Sequence, residues 1–436
     1  MEFHDILHGH IVIERNEIAV LMKKLLDTTE LQRLRNMRQM NFDVPLIQEL
    51  GRSRRLPHSV GVAYISLKLA EQSNLNLLQT KELIAAALLH DAAIPPYGHL
   101  VETEFKSTER GGFDHAKILE SFIFGDLGNR NKFLEILPNR QVEVCEALHT
   151  ENIKPENVLE LVAPTSLKGS AIAAQVDIDN IDNVHRMAIF LGWEGVKENM
   201  LSLLSYVKLE ADLSLRFSKE ASKNLEKWLE YREKIYTMII AHPECIPHNA
   251  FQSDLVELAV KENVISPDNW FMSEPEFEER LRNNYATKTL ANQLLSGCEY
   301  ELVDYVWFKE LNLKRKLKNS EIKTKIKEEV FSDIKSSSYF VWFEKGLITR
   351  KINWTDFEGR PQTMGVNSQS CMIALVKKQK GGIKGAYKSG SKSAWRSNVI
   401  EAFEKLACTR DYRVSFPEDY SGRYNVPGTG EFKFEF

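Results

Sequence analysis

Across residues 21–313 apolar side chains recur at spacings of three and four, with few β-branched runs. No other property of the chain limits its fold as much. That period builds amphipathic helices and does not match the two-residue alternation of a strand, so this stretch is read as consecutive helices packed on one another. Local punctuation agrees. Pro57, in Leu56-Pro57-His58-Ser59-Val60, suits a helix's first turn, where its missing N–H has no partner. Residues 82–90 form an alanine- and leucine-rich helix that Pro95-Pro96 must end. Residues 176–191 are helical again and place Asp179, Asp182 and Arg186 on one face. Asp27-Thr28-Thr29-Glu30 reads as an N-cap at Asp27 with an acidic residue three positions on.

The texture changes after Leu313. Residues 314–329 are dense in charge, and the aromatic and β-branched run Ser338-Tyr339-Phe340-Val341-Trp342-Phe343, then Gly346 and Leu347-Ile348-Thr349, reads as strands. Residues 377–396 hold seven basic side chains, no acidic one and four glycines, which reads as a loop. A length of 436 residues alone allows about three domains. The pattern gives two: a helical part at 1–312 and a smaller α+β lobe at 313–436, the whole being mainly α.

Composition narrows the function classes. Lys+Arg 57 against Asp+Glu 61 leaves a net charge of -4, so no global basic field holds a polyanion and any phosphate site is local. The basic stretch 377–396, with Tyr387 and Trp395 interleaved, has the ingredients of a nucleic-acid contact; a surface loop or an oligomer contact is the favoured reading, since charge patches alone say little. Cys145, Cys245, Cys298, Cys371 and Cys408 make no C-x-x-C pair, which points away from zinc knuckles and disulfide frameworks and toward a reducing cytoplasm. With neither a leader-like start nor a long apolar run, the chain is expected to be cytoplasmic, with no membrane partner.

Five of the eleven histidines, His58, His90, His99, His115 and His149, fall within one stretch of the first half. A His-Asp dipeptide, His90-Asp91, at the end of an apolar helix is costly to bury unless both groups are paired or liganded. The end of a helix also favours a cation. His58, His90-Asp91 and an acidic residue within 177–182 could together hold a divalent ion if three helices pack side by side. Without further context the plainer alternative stands, in which His90 ends the helix and Asp91 begins a turn.

Further motifs supply the context. Asp5-Ile6-Leu7-His8-Gly9-His10, the run from Leu26 to Arg35, Arg55 to Val62, Leu88 to His99, Gly112-Phe113-Asp114-His115 and Gln175 to Asp182 together resemble the HD-domain deoxynucleoside triphosphate triphosphohydrolases. That group includes bacterial dGTPases and the vertebrate enzyme joining a sterile-alpha-motif to an HD domain. The resemblance covers residues 1–300 and implies a helical phosphohydrolase core in which water attacks the α-phosphorus of a nucleoside triphosphate, releasing nucleoside and inorganic triphosphate. It implies His58, His90, Asp91 and Asp179 as ligands of one divalent ion (Mg, Mn, Fe, Co or Zn), with Asp177 competing for the last place. It further implies His115 for proton transfer, His99 for orientation, and Arg55 and Gln39 for phosphate and sugar contact. Asp27, Gln32 and Arg35 match residues that hold an activating nucleotide, and a homo-oligomer is implied. The chain departs from the family at Ile94, Asn180, Asn183 and Met187, which alter contacts to phosphate and sugar and leave the ligand set intact. A phosphodiesterase or nuclease, and a silent nucleotide sensor, are the competing readings. His149 and His185 match no family position and are read as ordinary histidines.

Overall fold

The computed structural model describes all residues except 41–43, 45–46, 108–112, 127–142, 167–168, 296–299, 314, 316, 331–336, 346–347, 349, 367–368, 379–390 and 421–436. Helices dominate from Asn16–Leu26 through Lys288–Leu295, as the periodicity predicts. A short hairpin, Glu2–Asp5 with Gly9–Val12, precedes them, and another, Val207–Leu209 with Leu215–Phe217, interrupts them.

Helix boundaries obey local chemistry. The helix Arg55–Gln72 carries Pro57 in its first turn. The helix Leu77–Leu89 starts at Asn76, whose side chain accepts from the Gln79 N–H at 2.9 Å, and closes on His90. Leu83 through Leu89 are all fully buried, so this helix is packed on every side and pins the His90-Asp91 pair at its end; a fully buried leucine or isoleucine contributes about 1.5–3 kcal/mol. The helix Ile178–Phe190 begins at Asp177, whose carboxylate accepts from the Asn180 N–H at 2.7 Å. One boundary differs from its reading: Thr28, not Asp27, caps the helix Thr29–Arg33, its hydroxyl accepting from the Leu31 N–H. Asp27 instead ends the preceding helix, Asn16–Leu26.

A four-stranded antiparallel sheet comes next, in the order Arg413–Ser415, Tyr300–Leu311, Gln369–Lys378, Ser337–Lys345. Its first strand in the chain starts at Tyr300, ahead of the compositional change. Alternation of period two sorts its side chains. Tyr305, Trp307, Met372, Ala374 and Val376 face the helical core, and Val306, Phe308, Cys371, Ile373 and Leu375 face a second core with the helices Asn319–Val330 and Ser391–Ala407.

The stretch 377–396, read as a single loop, has ordered ends: residues 377–378 close a strand and 391–396 open a helix. Trp395 is buried in the second core and cannot stack on a base, while Arg396 pairs with Asp304 and Glu418. Tyr387 lies outside the described residues, as do Cys298, Leu347 and Thr349. Among the described residues no helix is long and apolar enough to cross a membrane.

Candidate metal centre

His58 comes one turn into the helix Arg55–Gln72 and is fully buried. Its Nε2 lies 2.9 Å from Asp179 Oδ1 and its Nδ1 lies 2.7 Å from Asp182 Oδ1. Burial pulls the imidazole down, but the bonds to Asp179 and Asp182 outweigh it and push it up to about 9. Asp182 is held in turn by His8 Nε2 at 2.7 Å and by Arg186 Nε at 2.8 Å, and Arg186 Nη1 reaches Asp5 at 2.7 Å. The turn of the N-terminal hairpin therefore braces His58 from beneath. Gly61, one turn beyond His58, makes room: a Cβ there would collide with the Arg186 guanidinium and the Asp182 carboxylate.

His90 supplies the test of whether a cation fits. Its Nδ1 donates to the Ala87 carbonyl at 2.8 Å, which fixes the ring and turns Nε2 toward the carboxylates. That atom is buried with no hydrogen-bond partner, 3.6 Å from Asp179 Oδ1 and 3.7 Å from Asp91 Oδ2. A buried ring nitrogen without a hydrogen bond, facing two carboxylate oxygens, calls for positive charge at this place, and a bound cation supplies it. Ligand atoms of His58, His90 and Asp179 all lie within 4.8 Å of one another, and imidazole nitrogen with carboxylate oxygen is the donor set of Mn, Fe, Co or Zn more than of Mg.

Asp91 stands beside this trio, bonded to Arg55 Nη1 at 2.6 Å. Burial works against its charge, yet Arg55, His90 and His58 hold the carboxyl well below the usual range. Asp177, the competing ligand, is engaged as the helix cap and also accepts from the Ala174 N–H at 2.9 Å; the trio contains Asp179 instead.

His99 and His115 are brought together by a residue the sequence reading passed over. Glu102 accepts from His99 Nδ1 at 2.8 Å, from His115 Nδ1 at 2.6 Å and from Lys106 at 2.8 Å. Both Nε2 atoms are thereby left as the outer faces of the rings, whose centres are 6.3 Å apart. His115 opens the helix His115–Phe124 behind an Asp114 cap. The bond to Glu102 raises its imidazole more than burial lowers it. The i,i+3 spacing of His99 and Glu102 was the available signal. Asp182 was visible as a helix-face neighbour of Asp179, whereas its partner His8 lies in another element.

Gln39 Nε2 lies 3.5 Å from Asn183 Oδ1, and its own Oε1 is buried without a partner. Gln32 donates to the Leu26 carbonyl and accepts from Arg35 at 3.2 Å, while Asp27 pairs with Lys23 at 2.8 Å. Gln32 and Arg35 are thus together, with Asp27 tied elsewhere. His149 is exposed; His185 is a satisfied core histidine, bonded to the Ile181 carbonyl and to Asn199.

Residues 55–187 match the HD domain family. Among similar proteins, an uncharacterized protein of Methanocaldococcus jannaschii, MJ1154, is 24% identical over 242 residues, 55% of this chain and 45% of its own length. The chicken deoxynucleoside triphosphate triphosphohydrolase SAMHD1 is 30% identical over 143 residues, 31% of this chain and 22% of its own. The chain thus spans less than half the length of either relative. The crystal structure of a hypothetical protein from Aquifex aeolicus shares the fold, with a TM-score of 0.55 and 17% identity over 92% of this chain and 99% of the other. Residues 55–187 thus match an HD domain, and part of the chain is similar to a deoxynucleoside triphosphate triphosphohydrolase.

Proposed function

We propose that the protein hydrolyses deoxynucleoside triphosphates to nucleoside and inorganic triphosphate in a reaction that depends on a divalent ion. The observation that carries this reading is the buried, unpartnered His90 Nε2 facing Asp179 and Asp91 beside His58. His58, His90, Asp91 and Asp179 would hold the ion. When bound, it supplies Lewis acidity toward the phosphates and the attacking water. Asp182 fixes the ring of His58 and the Ala87 carbonyl fixes that of His90, so both imidazoles are oriented in advance. His115, whose imidazole the bond to Glu102 holds above its ordinary value, gives its Nε2 proton to the leaving 5′-oxygen, and His99 on the same carboxylate orients the phosphates. Arg55, steadied by Asp91, offers a planar fork to phosphate oxygens. Gln39, with a free buried carbonyl oxygen, accepts from a sugar hydroxyl. Gln32 and Arg35, with Asp27, are the proposed contacts of an activating nucleotide, and a homo-oligomer is the proposed assembly.

The test is incubation with each dNTP and NTP, singly and mixed, under Mg and under Mn, with chromatography of the products. Nucleoside and triphosphate are expected; nucleoside monophosphate would identify a phosphodiesterase instead, and binding without turnover a sensor. Activity seen only in mixtures would place an activator in the scheme. Asp91→Ala is expected to lose metal and turnover together, whereas His115→Ala keeps its metal and slows by about 10²-fold.

A further inference from the structure

One segment of the C-terminal part reaches into the neighbourhood of Asp179. Arg350 Nη2 lies 3.4 Å from the carbonyl of Ala174, whose N–H donates to the capping carboxylate of Asp177. Three residues on, Asn353 donates both its backbone N–H and its side-chain amide to Gln175, at 2.8 and 3.0 Å. The chain 350–353 is thus docked along the turn that launches the Asp179 helix. Its position is set from the other side as well: Gly365 packs so closely on the Arg350 carbonyl that a Cβ there would strike it.

A second guanidinium, that of Arg232, lies within electrostatic reach of Arg350. The helix Ser222–Ala241 is anchored beside Asp179 by Trp228, whose indole N–H donates to the Asn180 carbonyl at 3.2 Å. Arg232, one turn later, sits over the Tyr236 ring at 4.7 Å. It is 4% exposed, and its Nε is buried without a hydrogen-bond partner. Among the described residues neither arginine forms an ion pair with a carboxylate. Burial draws the Arg350 guanidinium below its ordinary value, the Arg232 charge adds to this, and Asp177, Tyr236 and Asp179 pull the other way. Two adjacent cations without anionic partners, at the rim of a carboxylate-lined centre, are destabilising as they stand. A polyanion bound between them resolves this, and a phosphate chain has the geometry that guanidinium forks match.

We propose that Arg350 is a phosphate-binding residue of the same site, carried to it by the C-terminal part and acting with Arg232 on the distal phosphates of the substrate. The proposal rests on the reading of the site as a triphosphate hydrolase, and the test separates the two. Inorganic triphosphate is titrated calorimetrically into the full chain, with and without Mn. Arg350→Gln should weaken binding about 10- to 100-fold. Arg350→Lys, which keeps the charge and loses the fork, should fall between. Unchanged affinity in Arg350→Gln against a wild type that binds overturns the Arg350 assignment alone. A wild type that binds no triphosphate in either condition overturns the phosphate reading of the whole site. Should Arg350→Gln fail to fold, by circular dichroism and melting, the Lys variant decides: affinity equal to wild type refutes the proposal, and a loss supports it.

Discussion

Asp182 takes hydrogen bonds from His58, His8 and Arg186 at once and is fully buried, so its charge is what orients the metal-facing imidazole. Asp182→Asn should cut divalent-ion affinity about 10- to 100-fold in a metal titration; unchanged affinity would show that His58 needs no brace. Gly61→Ala should act the same way without touching either side chain, because the added methyl would displace the Asp182–Arg186 pair. Glu102 gives a pH prediction. His115 as an acid must carry its proton, so turnover falls as pH rises through its imidazole value, which Glu102 holds up. Glu102→Gln should therefore move the alkaline fall of the rate profile to lower pH; a limb that stays in place would remove His115 from the role. These residues also mark what the chain discloses in advance. His90-Asp91 stood out because a His-Asp pair at the end of an apolar helix is costly without a purpose, whereas the choice of Asp179 within 177–182 came from the family resemblance. The part played by Asp182 was not legible, since its partner His8 is 174 residues away, and nothing local in the sequence records that distance.

At the scale of elements, the five-residue helix Thr29–Arg33 has an influence larger than its length. Arg33, buried, donates to the carbonyls of Ala92 and Ile94, directly after His90-Asp91, and to those of Trp270 and Met272. Burial, and then the charge of Arg55, draw it down to about 9. Arg33→Met would leave these acceptors bare and should cost about 3 kcal/mol or more in denaturant unfolding. A loss of metal affinity should accompany it, because the turn behind the ligand pair is released. Glu30 on the same helix makes a different contribution. Burial raises its carboxyl to about 7 from an ordinary 4.5, with Glu143 adding to the rise and Arg33 opposing it. A raised carboxyl stabilises the fold in its protonated form, fully below pH 4.5, and that contribution is lost as pH rises through 7. Glu30→Gln should therefore gain up to about 3 kcal/mol over wild type at pH 8 and nothing at pH 4; equal gains at both would refute the assignment. Helix identity was plain from the apolar period, but boundaries depended on single hydroxyls, as the shift of the cap from Asp27 to Thr28 shows.

For the whole molecule, the division into 1–312 and 313–436 stays a proposal, and the sheet gives it a particular form. Tyr300–Leu311 is hydrogen-bonded to Gln369–Lys378 along its length, and one face of that sheet is buried in the helical core. A fragment of residues 1–299 would expose this apolar seat, so it should be recovered aggregated; a soluble, cooperatively melting fragment would show two independent units. The change of texture at 313 could not reveal this, because the strand Tyr300–Leu311, which lends one face to each of two cores, lies ahead of it.

The brace under His58 also dictates an order of events. His8 and Asp5 leave the ribosome before the helix Ile178–Phe190, to which the carboxylate and guanidinium they bind belong. The nascent hairpin has nothing to close on until that helix has emerged. Contacts of such sequence separation form late, since the chain entropy of closing the loop must first be overcome. A centre that relies on a braced His58 is therefore incomplete until residues 178–190 have been made and have packed against the hairpin.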